Sequence, residues 1–367
     1  MSIKSFTIAF LAFSLSGCVR HRTTLPIGIF DPPPSALPEL ADAGFNLVVA
    51  PASKDILDAS QKSNIAVLMT GGEGLAAKPA LQSRLRALDQ HPAAWGWYLL
   101  DEPDLHQVSP RRVRSQNQLL KRFVRKPTMV ILSSGASTEK YSGTADMVAV
   151  DWYPVPWSSV GTVSREMRLA RLGSQDGRFI AILQAFDWRI APHLLDTDVP
   201  LRAPTAEELR CMTYLALMQG ARGIIFYAYT AAGWNIEADT PLHEAVLELG
   251  AEIRENEEMF GERVSWWPAD TEFHGSPKTM YNEIGEARVS LALFRARNTK
   301  NRYFLFVANT TDQRADFSFK LPFDDVPKLR TSCNSEEFEA DEGWIRKTYD
   351  PFEVCIFGPI EGVIPDE

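Results

Sequence analysis

The feature that most restricts this chain is repetition: eight short apolar runs, each bounded by turn residues and followed by a polar or amphipathic stretch of helical length. The runs are Pro26 to Phe30, Asn46 to Ala50, Ile65 to Thr70, Ala94 to Leu100, Thr128 to Leu132, Met147 to Val150, Phe179 to Gln184 and Gly223 to Tyr229. Short apolar runs framed by turns read as strands buried on both faces. The segments between them, such as Ser109 to Val124 and Thr205 to Gly220, carry helical periodicity, with Ser109-Pro110 and Thr205 as helix starts. Eight repeats of strand then helix close most naturally into a (β/α)8 TIM barrel. The alternative is an open doubly wound sheet, but Ile29-Phe30-Asp31-Pro32-Pro33-Pro34 stands where a glycine-rich phosphate loop would follow the first strand.

A glutamate-rich helix, Pro241 to Phe260, ends at Gly261, and beyond it the period changes to strand-like alternation. Arg288 to Ala296, Tyr303 to Asn309, Ala315 to Leu321 and Phe352 to Phe357 read as strands separated by polar turns, as in a small β-sandwich. The expected division is a barrel over 25–261 and a C-terminal β-sandwich over 262–367. Trp266 and Trp267 fall at the junction, where they are expected to pack between the two.

The first residues form a short cationic start at Lys4, an apolar run from Phe6 to Leu15, and then Leu15-Ser16-Gly17-Cys18. The run is too short to span a bilayer comfortably, and its end resembles a bacterial lipobox. That resemblance implies a signal peptide over 1–18, Cys18 as the lipidated N-terminus and 19–24 as a short tether. The protein is then expected on the cell-envelope membrane, the outer membrane in a Gram-negative cell. The formal net charge of -9 and the absence of a long basic run argue against a nucleic-acid or anionic-membrane surface and favour a neutral or cationic ligand. The cysteines lack zinc-site spacing and the six histidines lack ligand spacing, so no metal and no cofactor is expected. Cys211 sits in an apolar helical pattern as a core thiol. Cys333 and Cys355 share the C-terminal module, where an oxidising compartment would permit a disulfide.

In such barrels chemistry gathers at the C-terminal ends of the strands. There this chain has Asp31 after strand one, Gly71-Gly72-Glu73 after strand three and Asp101-Glu102-Pro103-Asp104 after strand four. Asp151-Trp152-Tyr153 follows strand six, Gln184 and then Asp187-Trp188 strand seven, and Tyr227, Tyr229 and Trp234 strand eight. Carboxylates beside aromatics suit a carbohydrate, whose ring faces stack, whose hydroxyls need fixed partners and whose glycosidic oxygen needs an acid. Asp31, Trp97, Trp152, Tyr153, Gln184, Trp188, Tyr227, Tyr229 and Trp234 are therefore candidate sugar-binding residues. Glu102, packed against Trp97 and beside Asp101, would have its pKa raised by desolvation and like charge, as a general acid requires.

The segment Trp95-Gly96-Trp97-Tyr98-Leu99-Leu100-Asp101-Glu102-Pro103-Asp104 is similar to the strand-four motif of the large superfamily of barrel glycosidases. The resemblance implies that Glu102 is the general acid/base, with Asp101 in place of the usual Asn. It also implies a nucleophilic Glu at the end of strand seven, where this chain has Gln184, an amide that cannot form a glycosyl ester. Three readings follow. Asp151 acts as base in an inverting site, which requires a carboxyl gap of roughly 6.5 to 9.5 Å; the Asp101-Glu102 pair works with a substrate 2-acetamido group; or the barrel binds an envelope glycan without cleaving it.

Overall fold

The computed structural model describes residues 24–362 apart from 73–75, 77, 196, 269, 275–278, 282–285, 287, 324–328, 334–336 and 339. Cys18, most of the tether and Glu73 lie outside the described residues. Eight parallel strands form a closed barrel: β1 (Ile27–Phe30), β2 (Leu47–Pro51), β3 (Ala66–Thr70), β4 (Ala94–Leu100), β5 (Thr128–Leu132), β6 (Met147–Trp152), β7 (Ile180–Gln184) and β8 (Ile224–Tyr227). Closure is the pairing of β1 with both β2 and β8. Around the barrel lie α1 (Leu37–Asp42), α2 (Lys54–Lys62), α3 (Gln82–Asp89), α4 (Pro110–Leu120), α5 (Thr138–Tyr141), α6 (Thr162–Gly173), α7 (Ala206–Met218) and α8 (Thr240–Glu255). The expected helix starts hold. Ser109 caps α4 with Pro110 in the first turn, and Thr205 forms a reciprocal capping box with Glu208 on α7.

Side-chain parity sorts the barrel residues into two layers. Leu47, Val49, Leu68, Met129, Ile131, Ala149, Ile182 and Ile225 fill the interior, while their sequence neighbours Val48, Val67, Val130, Val150, Leu183 and Phe226 pack outward under the helices. On β4 the parity breaks: its pairings with β3 and β5 both carry register irregularities, so Trp95 and Tyr98 reach the interior layer and Trp97 belongs to the outer one.

A short hairpin beyond β8 pairs β9 (Thr230–Ala231) with β10 (Trp234–Asn235), and near the C-terminus β16 (Leu329–Arg330) pairs with β17 (Glu337–Phe338). Beyond α8, β11 (Glu262–Val264), β13 (Val289–Arg295), β14 (Arg302–Asn309) and β19 (Val354–Glu361) form an antiparallel sheet, and β12 (Thr271–Phe273), β15 (Ala315–Lys320) and β18 (Trp344–Tyr349) form a second. The two share a core of Leu291, Leu305, Phe317, Phe319, Ile345, Tyr349 and Phe357. The first sheet is buried on its other face as well, because Phe294, Phe304, Phe306 and Ile356 join the outer core of the barrel. Cys211, the expected core thiol, is fully buried at this contact and donates to the Asn309 carbonyl at 3.6 Å. Trp266 and Trp267 depart from expectation: Trp266 packs on the β-domain core, and Trp267 is exposed and stacks on Tyr281. Cys333 and Cys355 face each other with Cα atoms 5.2 Å apart, within disulfide reach. Among the described residues no helix is long and apolar enough to cross a membrane.

Candidate functional site

The site begins with the loop that leaves β4. Asp104 accepts hydrogen bonds from the Ser133 backbone N–H and hydroxyl, both at 3.1 Å, and Tyr141 donates to the carbonyls of Val108 (2.7 Å) and Pro103 (3.3 Å). These contacts tie the loop to the end of β5 and to α5. They hold Glu102 at φ 36°, in the left-handed region and directly before proline, a conformation a non-glycine residue adopts only where its surroundings impose it.

Glu102 is half-buried and reaches the top of the barrel interior, where it is in hydrogen-bonding contact with Asp151. Asp151 points inward because it shares the parity of Met147 and Ala149 on β6, and its side chain is almost wholly removed from solvent. Burial, and then the charge of Glu102, hold its carboxyl well above the usual range. Burial also raises Glu102, helped by Asp101 and Asp104 and opposed by its hydrogen bond to Asp151. Both shifts act against ionising the two acids together, and burial favours keeping the proton on the deeper Asp151. Carboxyls in hydrogen-bonding contact do not form the gap of roughly 6.5 to 9.5 Å that an inverting pair spans.

Tyr98, which sequence reasoning passed over, donates its hydroxyl to Asp101. Parity along β4 would have sent it outward; only the register irregularity turns it in. Asp101 stands exposed on the mouth side of the pair. Tyr153 and Tyr227 stack with ring centroids 5.6 Å apart, and Phe30 meets Tyr227 edge-on at 5.1 Å, so three aromatics frame the acids. Two shallow cavities of about 250 and 150 Å³ open here and meet at Thr70, one lined by Phe30, Asp31 and Tyr227, the other by Tyr98 and Asp101. Asp31 is exposed on the rim, where the Thr230 hydroxyl donates to its backbone carbonyl at 2.7 Å. Trp234 is half-buried on the short hairpin beyond β8.

Five expected sugar contacts lie elsewhere. Trp97 is fully buried behind β4, its Nε1 donating to Asp89 at 2.9 Å, and a Cβ on Gly72 would come within 2.6 Å of its ring. Trp152 has outward parity and donates to the Thr162 hydroxyl at 2.8 Å. Tyr229 is sealed under α8 against His243 and donates to Glu237. Trp188 is buried and packs on Phe186 and Tyr153, propping the aromatic wall rather than offering a face. Gln184 points inward but is spent on backbone. It accepts from Val155 N–H at 2.9 Å and donates to the carbonyls of Val155 (2.7 Å) and Phe186 (3.2 Å), with none of its surface exposed.

The chain matches no protein-family model and none of the curated proteins. Solved structures do share its fold. A glycoside hydrolase family 5 protein from Bacteroides vulgatus aligns with TM-score 0.58 at 10% identity over 91% of this chain and 88% of its own. A β-galactosidase from Bacillus circulans sp. alkalophilus aligns with TM-score 0.57 at 10% identity over 93% and 100%. A GH30 endoxylanase from Clostridium papyrosolvens aligns with TM-score 0.53 at 10% identity over 91% and 95%. The chain thus has the fold of barrel glycoside hydrolases, and at this identity the likeness is one of fold.

Proposed function

We propose that this protein is a lipid-anchored, glycoside hydrolase-like protein of the cell envelope, with Glu102 as general acid on a carbohydrate substrate. The observation that carries the reading is the pair of contacting carboxyls, both raised above the usual range, at the C-terminal end of the barrel, framed by Tyr98, Tyr153 and Tyr227. Glu102 is the member open to the mouth. It delivers the pair's proton to the glycosidic oxygen as the C–O bond breaks, and Asp151 is left as the carboxylate. Water completes the hydrolysis and returns a proton to the pair. Gln184 supplies no nucleophile, so Asp101, fixed by Tyr98 beside the pair, is the carboxylate placed to orient the attacking group, a water or the sugar's own 2-acetamido oxygen. Cys18 carries the anchor, and Cys333 and Cys355 form a disulfide in the oxidising envelope.

One observation favours a second reading, binding without cleavage: the residue at the nucleophile's strand end is an amide locked into the backbone. Glu102→Gln separates the two. It keeps a hydrogen-bonding side chain but cannot release a proton, so cleavage of unactivated glycosides should fall by roughly 10²-fold or more, and of glycosides with very good leaving groups by much less. Equal activity of parent and variant on an unactivated glycan would overturn the acid assignment. Retained binding with no cleavage by either protein would establish the binder.

A further inference from the structure

The formal charge of -9 describes the whole chain and hides a segregation that folding creates. At the N-terminal end of the barrel, opposite the acidic mouth, a cavity of about 980 Å³ lies between the barrel and the β-domain. Its lining includes Arg222, Arg263, Arg295, Arg297 and Lys300 against one acid, Glu262, over an apolar floor that includes Phe260 and Phe294. Arg222 and Lys300 are exposed and form no ion pair among the described residues, while Arg295 pairs with Glu262 and Arg297 with Glu257. Arg263 is half-buried in the same wall, its Nε donating to the Met218 carbonyl at 2.9 Å, and burial, then the nearby Arg171, lower its pKa.

Thr24 and Leu25 line the same cavity. Leu25 is fixed there, its N–H donating to Glu257 at 2.8 Å and its carbonyl accepting from Arg254 at 3.1 Å. The chain therefore reaches the barrel at this cavity, six residues after Cys18, and those six include Arg20 and Arg22. Six extended residues span about 20 Å at most.

We infer that this cation-lined cavity is a membrane-docking surface that receives the anionic phosphate headgroups of the bilayer, with the mouth of the barrel turned away from the membrane. The inference rests on the lipid anchor at Cys18, which brings this face to the bilayer. Charge complementarity selects anionic lipid, since each cation near such a surface gains affinity and salt weakens it.

The test uses the mature chain carrying Cys18→Ser, so that no acyl chain contributes, with vesicles of phosphatidylcholine alone or with phosphatidylglycerol added. Expected is co-sedimentation with the anionic vesicles at low salt, lost as salt rises. It should fall on the order of ten-fold or more in Arg222→Glu/Lys300→Glu, at an unchanged melting temperature because both side chains are exposed. It should persist in Arg20→Ala/Arg22→Ala. Equal binding to both vesicle types, or equal binding by parent and Arg222→Glu/Lys300→Glu, would overturn the surface, as would loss confined to Arg20→Ala/Arg22→Ala. Acyl labelling of the full chain against Cys18→Ala reports the anchor separately, so failure of the anchor is distinguishable from failure of the surface.

Discussion

Asp151 is the residue whose burial sets the chemistry of its neighbour. Folded, it holds a proton that the unfolded chain releases in the ordinary carboxylate range. Between that range and its raised native value the folded state binds more protons than the unfolded one, so stability falls as pH rises, by up to about 1.4 kcal/mol per pH unit. Asn at 151 has no proton to lose. The melting temperature of Asp151→Asn should therefore gain on the parent as pH rises above the ordinary carboxylate range, and parallel curves would mean that Asp151 is not held protonated. Activity on unactivated glycosides should fall, because Glu102 loses its carboxyl partner. Asp101, Glu102 and Asp151 were all legible as rim carboxylates, since each follows a recognisable strand. Their contact was not, because it depends on strands two places apart in the barrel bringing side chains to one point. Tyr98 escaped for a similar reason: its direction depends on how β4 registers against its two neighbours.

At the scale of elements, Gln184 clamps the end of β7 to the segment leaving β6. Its three hydrogen bonds satisfy Val155 N–H and two carbonyls that no solvent reaches. Gln184→Glu would restore the residue type expected of a retaining glycosidase, but here it would set a carboxylate against the carbonyls of Val155 and Phe186. We expect a loss of stability on the order of 3 kcal/mol, read by denaturant unfolding, and no gain in hydrolysis. Increased activity at parental stability would show that Gln184 faces the substrate. The sequence placed an amide at this strand end, but whether its partners were sugar hydroxyls or backbone was decided by the loop folded over it. Trp152 follows the same logic, because strand parity turns it to the helix layer, whereas Tyr229 lies beyond the end of β8 and packs against His243 of α8.

For the whole molecule, the interface between barrel and β-domain is a core in its own right. Phe294 and Phe306 pack with Tyr214 and Phe260, Arg210 donates to the Val354 carbonyl at 2.9 Å, and Cys211 lies sealed between the two. A contact this apolar couples the unfolding of its two sides. The full chain should melt in a single calorimetric transition, and residues 24–261 alone, with this face uncovered, should aggregate or lose cooperative melting. Two separate transitions in the full chain would show that the domains are independent.

The layout is written in the chain: eight strand-then-helix repeats, a change of period near Gly261, helix starts at Ser109 and Thr205, and acids at the ends of strands four and six. Those are local properties, carried by apolar spacing, capping residues and turns within a few positions of one another. Which rim residues meet depends on contacts between distant strands. Register between strands turned Trp97 out and Tyr98 in, closure of the barrel brought Glu102 to Asp151, and the loop over β7 took Gln184 for itself. The β-domain was half legible in the same way. Its strands β13, β14, β15 and β19 alternate clearly, whereas β18, with Arg346 and Lys347 at its centre, becomes a strand only because β15 lies beside it to pair with. Charge divided likewise: composition reports a net acidic chain, and folding alone gathers its acids at the mouth and a cluster of its arginines at the other end, because position in space is set by contacts that composition does not encode.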